Sequence, residues 1–433
     1  MPIASGTVLT KLEDAKSIMS TQKKTNTLSL NQIILMLLLA LALIICVGGA
    51  MWLAKTAPEK FAGAPRFMPE ENGYDRVLSA ISKLRPYKSD LNVVTLNTNF
   101  WIKSSKAGQF VHSYSTRDTT GLVNANYDSL KNLREGLLLD FMCPDSTLPG
   151  QSARFRQDSD GIQKLNRLLL LESDMHRSKK EWGQAMSSNL DAIQLGVSYE
   201  RGGKLHHAII SRNMLRQDFP VAAEIIPHLN SLQAQSAWDR IRKIRCFETP
   251  YADILQEEKR NIQSYFRTNL NSLPTFFKEF DQSPPANNQT WQQKWDRKRL
   301  ILFSDREKIV HDYDNYMNAL ISKASQPYSV GMKIALPEPG DFVNENTTPI
   351  CDSFWVSDVT MKQNSANLEI SLALRVFRLK HGKYPDKLSQ LVSEYRCRLP
   401  DDPASASLPF NYLVDGKGGF RLEGAGTDFK KPK

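Results

Sequence analysis

The stretch GIQKLNRLLLLESDMHRSKKEWGQAMSSNLDAIQLGVSYERGG, residues 161–203, carries the pattern that decides the fold. Apolar side chains recur in it at three- and four-residue spacing, which places them on one face of a helix. The first stripe comprises Ile162, Leu165, Leu168 and Leu169, and the second comprises Trp182, Ala185, Met186, Leu190, Ile193 and Val197. The stretch therefore predicts two helices, the first ending near Lys179, that fold against each other as an antiparallel hairpin.

This hairpin resembles one unit of the tetratricopeptide repeat family. Gly183 and Ala185 are small residues that would permit its two helices to approach closely. The resemblance covers residues 161–203 only, and no second copy follows at a fixed period. A stable array of such units needs at least three stacked copies. We therefore predict an irregular α-helical, tetratricopeptide-like bundle over residues 71–350.

Further helices are predicted on both sides of the hairpin. They are Asn72–Leu84, a stripe from Leu130 through Leu133, Leu137 and Leu138 to Phe141, Leu232–Ile244, Asp253–Phe266 and Ser304–Ala324. Asp90–Asn126 is rich in Thr, Val and aromatic residues and fits either short strands or an irregular excursion. Pro220 and Pro227 are expected to interrupt the helical region, and Ser272–Gln293 to form a flexible insertion.

The pattern changes in residues 354–433. Asn367–His381 predicts a long buried helix through Leu368, Leu372, Leu374, Val376 and Leu379, which Gly382 can terminate. A G-K-Y-P turn, a short helix over Asp386–Glu394 and an L-P-D-D-P turn at Leu399–Pro403 follow. Alternating apolar residues between Gly-rich turns then predict a small antiparallel sheet.

This order of motifs resembles the globular domain of the major pseudopilins of type II secretion. The matching positions are Gly382, Tyr384, Pro385, Leu388, Leu391, Pro400, Asp402, Pro403, Tyr412 and Asp428. The resemblance implies a small α+β domain over residues 354–433. The whole layout is similar to that of uncharacterised bacterial membrane-anchored proteins, which implies no known activity.

Two departures from the pseudopilins limit what this resemblance implies. Their short basic leader, cut before a Phe, has no counterpart around Ser29–Gln32, so filament assembly is not implied. Their last loop binds calcium through several acids, whereas Lys430 and Lys431 follow Asp428 here. Because calcium requires several oxygen ligands, we expect no calcium site.

The run IILMLLLALALIICVGGAMWLA, Ile33–Ala54, contains no charged residue. As a helix its 22 residues cover about 33 Å, enough to cross the hydrocarbon core of a bilayer. A cleaved secretory signal is the alternative, because Gly48 and Ala50 have the spacing of a cleavage site. The polar stretch of residues 1–32 is long for a signal peptide, so we expect an uncleaved anchor that contacts the lipid bilayer.

The predicted order is a cytoplasmic tail (1–32), a transmembrane helix (33–54), a stalk (55–70), a mostly helical extracytoplasmic domain (71–350) and the pseudopilin-like domain (354–433). Lys and Arg residues are balanced on the two sides of the span. The short leading tail and long trailing region therefore decide the orientation. We expect a single-pass protein of the bacterial inner membrane, with a cytoplasmic N-terminus.

Composition excludes a disordered chain, since 41% of the 433 residues are hydrophobic. The formal net charge of +10 favours a solvated basic surface over a dedicated acidic partner. The densest basic patch, Lys294–Arg299, has Trp291 and Trp295 beside it, but nucleic acid is not an expected partner outside the cytoplasm. Among five scattered cysteines, Cys351 and Cys397 form the first pair to consider for a disulfide.

No catalytic, cofactor-binding or metal-binding residue is predicted. His206 and His207 point to different faces of a helix and are expected to be partly exposed. Glu257 and Glu258 are expected on a solvated helix face, Asp401–Asp402 to initiate a turn, and His381 to cap a helix C-terminus. No G-x-S-x-G, H-E-x-x-H or phosphate-binding glycine loop occurs in the sequence.

These observations favour a non-enzymatic, membrane-anchored cell-envelope protein that binds or scaffolds an unidentified envelope protein or polymer. One alternative is an envelope hydrolase acting on wall or polysaccharide through distant carboxylates such as Glu172, Glu257 or Asp312. Another is an accessory protein of a type II secretion-like system that docks through the C-terminal domain.

Overall fold

The structure, a computed structural model, describes residues 30–55, 67–88, 93–94, 102–103, 110–111, 115–144, 151–269, 306–337, 348–405, 408–415 and 418–424. The described residues fall into two compact units, with residues 30–55 in the first and the other described residues in the second. The predicted insertion Ser272–Gln293, the basic patch Lys294–Arg299 and Asp428 lie outside the described residues.

The first unit contains one described helix, α1 (Leu30–Lys55). The side chains of residues 34–46 in this helix are all exposed, and they are almost all large and apolar. Within the described part of the chain, no helix is both long enough and apolar enough to cross a membrane.

The second unit is mainly helical, which confirms the predicted α-rich class. Its helices are α2 (Gly73–Ser82), α3 (Thr116–Ala125), α4 (Tyr127–Leu137), α5 (Gln151–Ser178), α6 (Trp182–Ser198), α7 (Leu205–Ile225), α8 (Ser231–Arg245), α9 (Tyr251–Asn269), α10 (Arg306–Ala324), α11 (Tyr328–Gly331), α12 (Thr348–His381) and α13 (Ser389–Tyr395). A 3₁₀ turn, Ile226–His228, follows α7.

Within the described residues, the strands form three separate antiparallel pairs. Strand β1 (Tyr87–Lys88) pairs with β2 (Val93–Val94), β3 (Ile102–Lys103) with β4 (Phe110–Val111), and β5 (Asn411–Val414) with β6 (Phe420–Glu423). The stretch Asp90–Asn126 thus contains two-residue strands followed by helix α3. The β5–β6 hairpin agrees with the small C-terminal sheet predicted from the Gly-rich turns.

Helices α5 and α6 form the antiparallel hairpin that the opening stretch predicts. Their buried faces are the two apolar stripes, and only Trp182 among these residues is partly exposed. The connection is a tight turn in which the carbonyl of His176 accepts from the backbone N–H groups of both Lys179 (3.1 Å) and Glu181 (2.9 Å). Lys180 adopts a left-handed conformation, with φ of 60°, to close it.

Helices α2 and α4 cross at two glycines, which explains how this pair packs so closely. A Cβ atom added to Gly73 would lie 2.4 Å from the carbonyl oxygen of Gly136. The side-chain oxygen of Asn72 caps α2 by accepting from the backbone N–H of Tyr74 at 3.0 Å. The stripe predicted around α4 is buried at Leu130 and Leu133, but Leu138 is 86% exposed because it lies just past the helix end.

Pro220 does not interrupt the helical region as predicted, because it lies inside α7. The chain turns later, at the 3₁₀ segment that contains Pro227. Helix α8 then begins with a capping box, in which the Asn230 side chain accepts from the Gln233 backbone N–H and the Gln233 side chain accepts from the Asn230 backbone N–H.

Helix α12 runs through the predicted boundary at residues 351–353. The described part of the chain has three apolar cores, and α12 contributes to two of them. The first core joins α6 and α8 to the second half of α12, α13 and Phe410. The second core comprises residues of the helices α2 through α6 and part of α7. The third joins α7, α9 and α10 to the first half of α12.

The end of α12 follows the prediction in most respects. Gly382 has a φ of 75°, and its N–H donates to the carbonyl of Arg378 at 2.8 Å, which ends the helix. Leu368, Leu372 and Val376 are buried, but Leu379 is 38% exposed since it lies on the outer face of the last turn.

Candidate functional site

A pocket of about 630 Å³ lies in the C-terminal segment and is called the tail pocket below. Its walls are α13, the turn around Pro400 and the start of β5, with Leu388, Val392, Leu399 and Phe410 among the lining side chains. Val392 is 41% exposed at this pocket. An open, largely apolar pocket of this size is suited to an apolar group of a partner.

The motif residues of the C-terminal segment hold this pocket together. The Tyr412 hydroxyl donates to the carbonyl of Pro385 at 2.8 Å, which ties β5 to the G-K-Y-P turn. The Asp402 carboxylate accepts from the backbone N–H of Ala404 at 3.0 Å and from Gln363 of α12 at 2.7 Å. Asp402 therefore initiates a turn, as predicted, and also anchors that turn to α12.

A second cavity of about 540 Å³, called the polar cleft, lies where two turns meet the start of α9. One turn contains Arg201 and leads into α7, and the other contains Phe247, Glu248 and Thr249 and follows α8. Asp253 and Glu257 reach it from the first two turns of α9.

Three charged side chains that line the polar cleft each have a close partner. Glu248 lies 3.6 Å from Arg245, and burial raises the pKa of its carboxyl group, although Arg245 acts in the opposite direction. Glu257 pairs with Arg260 at 3.6 Å. Arg201 lies over the Phe247 ring, with its guanidinium carbon 5.1 Å from the ring centroid.

A buried ion network lies at the junction of α6, α7 and α12. Arg212 bonds to Glu200 at 3.0 Å and to Asp358, and its guanidinium lies 4.5 Å from the centre of the Phe354 ring. Burial acts to lower the pKa of Arg212, but the two carboxylates together raise it above its ordinary value. Lys362 adds a second positive charge, 3.0 Å from Asp358. The two positive and two negative charges balance, as a buried ion network requires.

The structure does not bring the three carboxylates of the hydrolase hypothesis together as one group. Glu172 lies on α5, where it pairs with Arg134 and accepts from Ser188 at 2.7 Å. Glu257 lies on α9, at the polar cleft. Asp312 lies on α10, 3.9 Å from His311. Glu172 is thus engaged in a buried ion pair of the second core region, whereas α9 and α10 pack in the third core.

Several polar residues are more buried than expected. His207 is only 2% exposed and its Nδ1 accepts from the Lys204 backbone N–H at 3.2 Å, whereas His206 is exposed. Glu258 is not on a solvated face, since it accepts from the Leu205 backbone N–H at 3.0 Å and burial raises its pKa.

His381 forms an ion pair, and the Cys397 thiol is buried. His381 pairs with Glu394 at 2.8 Å, which links α12 to α13. Cys397 is a free, buried thiol, so the structure does not form its disulfide with Cys351, whose side chain lies outside the described residues. Among the described residues, no group of three or more His, Cys, Asp or Glu side chains is placed to hold a metal ion.

Comparison of this chain with models of protein families, with curated proteins and with solved structures finds no match.

Proposed function

We propose that this chain is a non-enzymatic, single-pass cell-envelope protein that binds another envelope protein or polymer through its tail pocket. One observation carries the proposal: the pocket is open and largely apolar, and Val392 in its lining is 41% exposed. Contiguous apolar surface that stays open to solvent is typical of an interaction site.

The proposed anchor is residues 33–54, which would contact the lipid bilayer of a bacterial inner membrane. Its support is the absence of charge over Ile33–Ala54, the helical conformation of Leu30–Lys55 and the exposed apolar side chains of residues 34–46. Fusion of a periplasm-active reporter to the C-terminus is expected to give activity. Activity from a cytoplasmic reporter alone would reverse the proposed topology.

Site-specific crosslinking tests the binding role in the full-length, anchored protein. Deletion of residues 354–433 is unsuitable, because α12 contributes to two cores. A photoreactive amino acid at Val392 is expected to crosslink to one defined envelope partner. The matched control is the same amino acid at Leu138, an exposed apolar position outside the pocket. Identical products from both positions, or none from Val392, would contradict the proposal.

An envelope polysaccharide hydrolase is the second candidate, and the polar cleft favours it. Glu248 has a raised pKa in a cleft that also contains Asp253 and Glu257. A general acid needs a raised pKa, and a second carboxylate must lie near it in the same cleft. Release of soluble sugar from purified wall polysaccharide by the protein, but not by Glu248→Gln, would replace the binding role with this activity.

A role as an accessory of a type II secretion-like system rests on the pseudopilin-like order of the motifs. The G-K-Y-P and L-P-D-D-P turns, helix α13 and the β5–β6 hairpin follow α12 in that order. If this role is correct, the partner crosslinked at Val392 is a pseudopilin.

A further inference from the structure

The pairing of strand β6 with β5 determines which of its backbone groups face away from β5. The backbone N–H of Asp415 donates to the carbonyl of Gly419 at 3.0 Å, which makes these two residues a hydrogen-bonded pair of the hairpin. Hydrogen-bonded pairs alternate with non-hydrogen-bonded pairs along an antiparallel ladder, so Arg421 and Glu423 also bond to β5. The N–H and C=O groups of Leu422, which lies between them, therefore point to the other edge of β6.

That outer edge of β6 is open. In the part of the chain that the structure describes, no third strand pairs with β6 and no backbone group bonds to Leu422 from this side. Unpaired N–H and C=O groups on an edge strand are a template for pairing with a further strand. A sheet of two short strands is also only marginally stable by itself. The open edge is therefore suited to accept one more strand.

The side chains of β6 indicate which strand fits this edge. Arg421 and Glu423 lie on the exposed face of the strand, and their Nε and Oε1 atoms are 3.0 Å apart. Leu422 lies on the opposite face and packs against the first core. When two copies of β6 are placed antiparallel with Leu422 at the centre, Arg421 of each copy lies opposite Glu423 of the other. The strand is thus complementary in charge to itself.

The hydrogen bonds and the charges agree on one register. With Leu422 on the two-fold axis, its outward N–H and C=O groups bond to the same groups of the second copy. The two Arg421–Glu423 contacts then fall at non-hydrogen-bonded pairs, where Cα atoms are about 4.5 Å apart and opposite charges stabilise the pairing. A shift by two residues would place Arg421 or Glu423 opposite its own copy, which brings like charges together.

We propose that β6 is a dimerisation strand, which pairs antiparallel with β6 of a second copy of this chain about a two-fold axis at Leu422. The tail pocket is lined from the sheet by Asn411 and Tyr412, which belong to β5. The pairing therefore uses a different strand from the tail pocket. It goes beyond the proposed function and needs no envelope partner.

Light scattering of the purified full-length protein in detergent measures its oligomeric state. We expect a dimer whose population grows with protein concentration. Arg421→Glu and Glu423→Arg each place like charges opposite one another twice in a homodimer, so we expect each to weaken dimerisation about tenfold. A parent protein that stays monomeric, or a dimer that neither variant weakens, would overturn the proposal.

A mixture of the two variants separates pairing between chains from effects within one chain, since both variants also lose the Arg421–Glu423 contact of the strand itself. In a mixed dimer the opposed residues again carry opposite charges, so we expect the mixture to dimerise about as well as the parent. A mixture that associates as weakly as each variant alone would show that this register is wrong.

The control variant is Lys131→Glu, which makes the same change of charge as Arg421→Glu at an exposed position of α4. We expect it to dimerise like the parent. If it weakens dimerisation as much as Arg421→Glu does, net charge and not strand pairing is responsible, and the proposal fails. Circular dichroism and thermal melting show that all variants are folded.

Discussion

Asp218 is a buried carboxyl group at the centre of three packed helices. It is fully buried on α7, accepts from Asn166 of α5 at 3.1 Å, and its backbone carbonyl accepts from Asn189 of α6 at 3.1 Å. Its second carboxylate oxygen and the side-chain oxygens of both asparagines have no hydrogen-bond partner among the described residues. Burial raises the pKa of this carboxyl group well above its ordinary value, so the protonated form is favoured.

The replacement Asp218→Asn is therefore expected to stabilise the protein at neutral pH. A carboxyl with a raised pKa in the folded state contributes full stability below its unfolded pKa, near 4, and loses it as the pH rises. The amide does not ionise, and its N–H groups can donate to the unpartnered asparagine oxygens. We expect a higher melting temperature for the variant at pH 8 than for the parent, and a smaller difference at pH 5.

The control for this prediction is Asp239→Asn, an exposed carboxylate on α8. It should change the melting temperature little at either pH. A lower melting temperature of Asp218→Asn at pH 8 would show that the ionised carboxylate, and not the acid, is the stabilising form.

At the scale of single elements, the turn between α5 and α6 contains a residue in a strained backbone conformation. Lys180 has a φ of 60°, where a side chain with a Cβ atom is disfavoured by about 1–2 kcal/mol. Glycine adopts this conformation without that cost, although it also makes the unfolded chain more flexible. We expect Lys180→Gly to raise the free energy of unfolding by about 0.5–1 kcal/mol, measured by urea denaturation.

The neighbouring residue gives a control for the turn. Lys179 lies in the same turn but is not among the described residues of positive φ, so Lys179→Gly should lower the free energy of unfolding. If both glycine variants are destabilised equally, the left-handed conformation of Lys180 is not a source of strain.

The elements that sequence predicts well are those with a long apolar period, such as α5, α6 and α8. The helix interruption predicted at Pro220 is wrong, because α7 continues through that residue. The strands before α3 are two residues long, which is too short to show an alternating pattern of apolar residues, so the sequence does not predict them. The polar cleft could not be predicted either, since Arg201 and Thr249 lie on turns far apart in sequence and neither turn carries a motif.

At the scale of the whole molecule, α12 is the element that joins the C-terminal segment to the helical region. Its first half, including Val359, packs in the third core, and its second half, including Leu372, packs in the first. Because one continuous helix serves both cores, we expect them to unfold together. Whether the two cores unfold together therefore tests the predicted domain boundary near residue 354.

Leu372→Ala provides the measurement. Removing a buried leucine side chain from the first core is expected to lower the free energy of unfolding by about 2–5 kcal/mol, whereas Leu379→Ala, on the exposed side of the same helix, should cost less than about 0.5 kcal/mol. Hydrogen exchange then reports where the stability is lost. If α12 couples the cores, protection in α9 and α10 falls in Leu372→Ala together with that in α8 and α13, because all these helices open in one transition. Unchanged protection of α9 and α10 would instead show that the C-terminal segment unfolds as a separate domain.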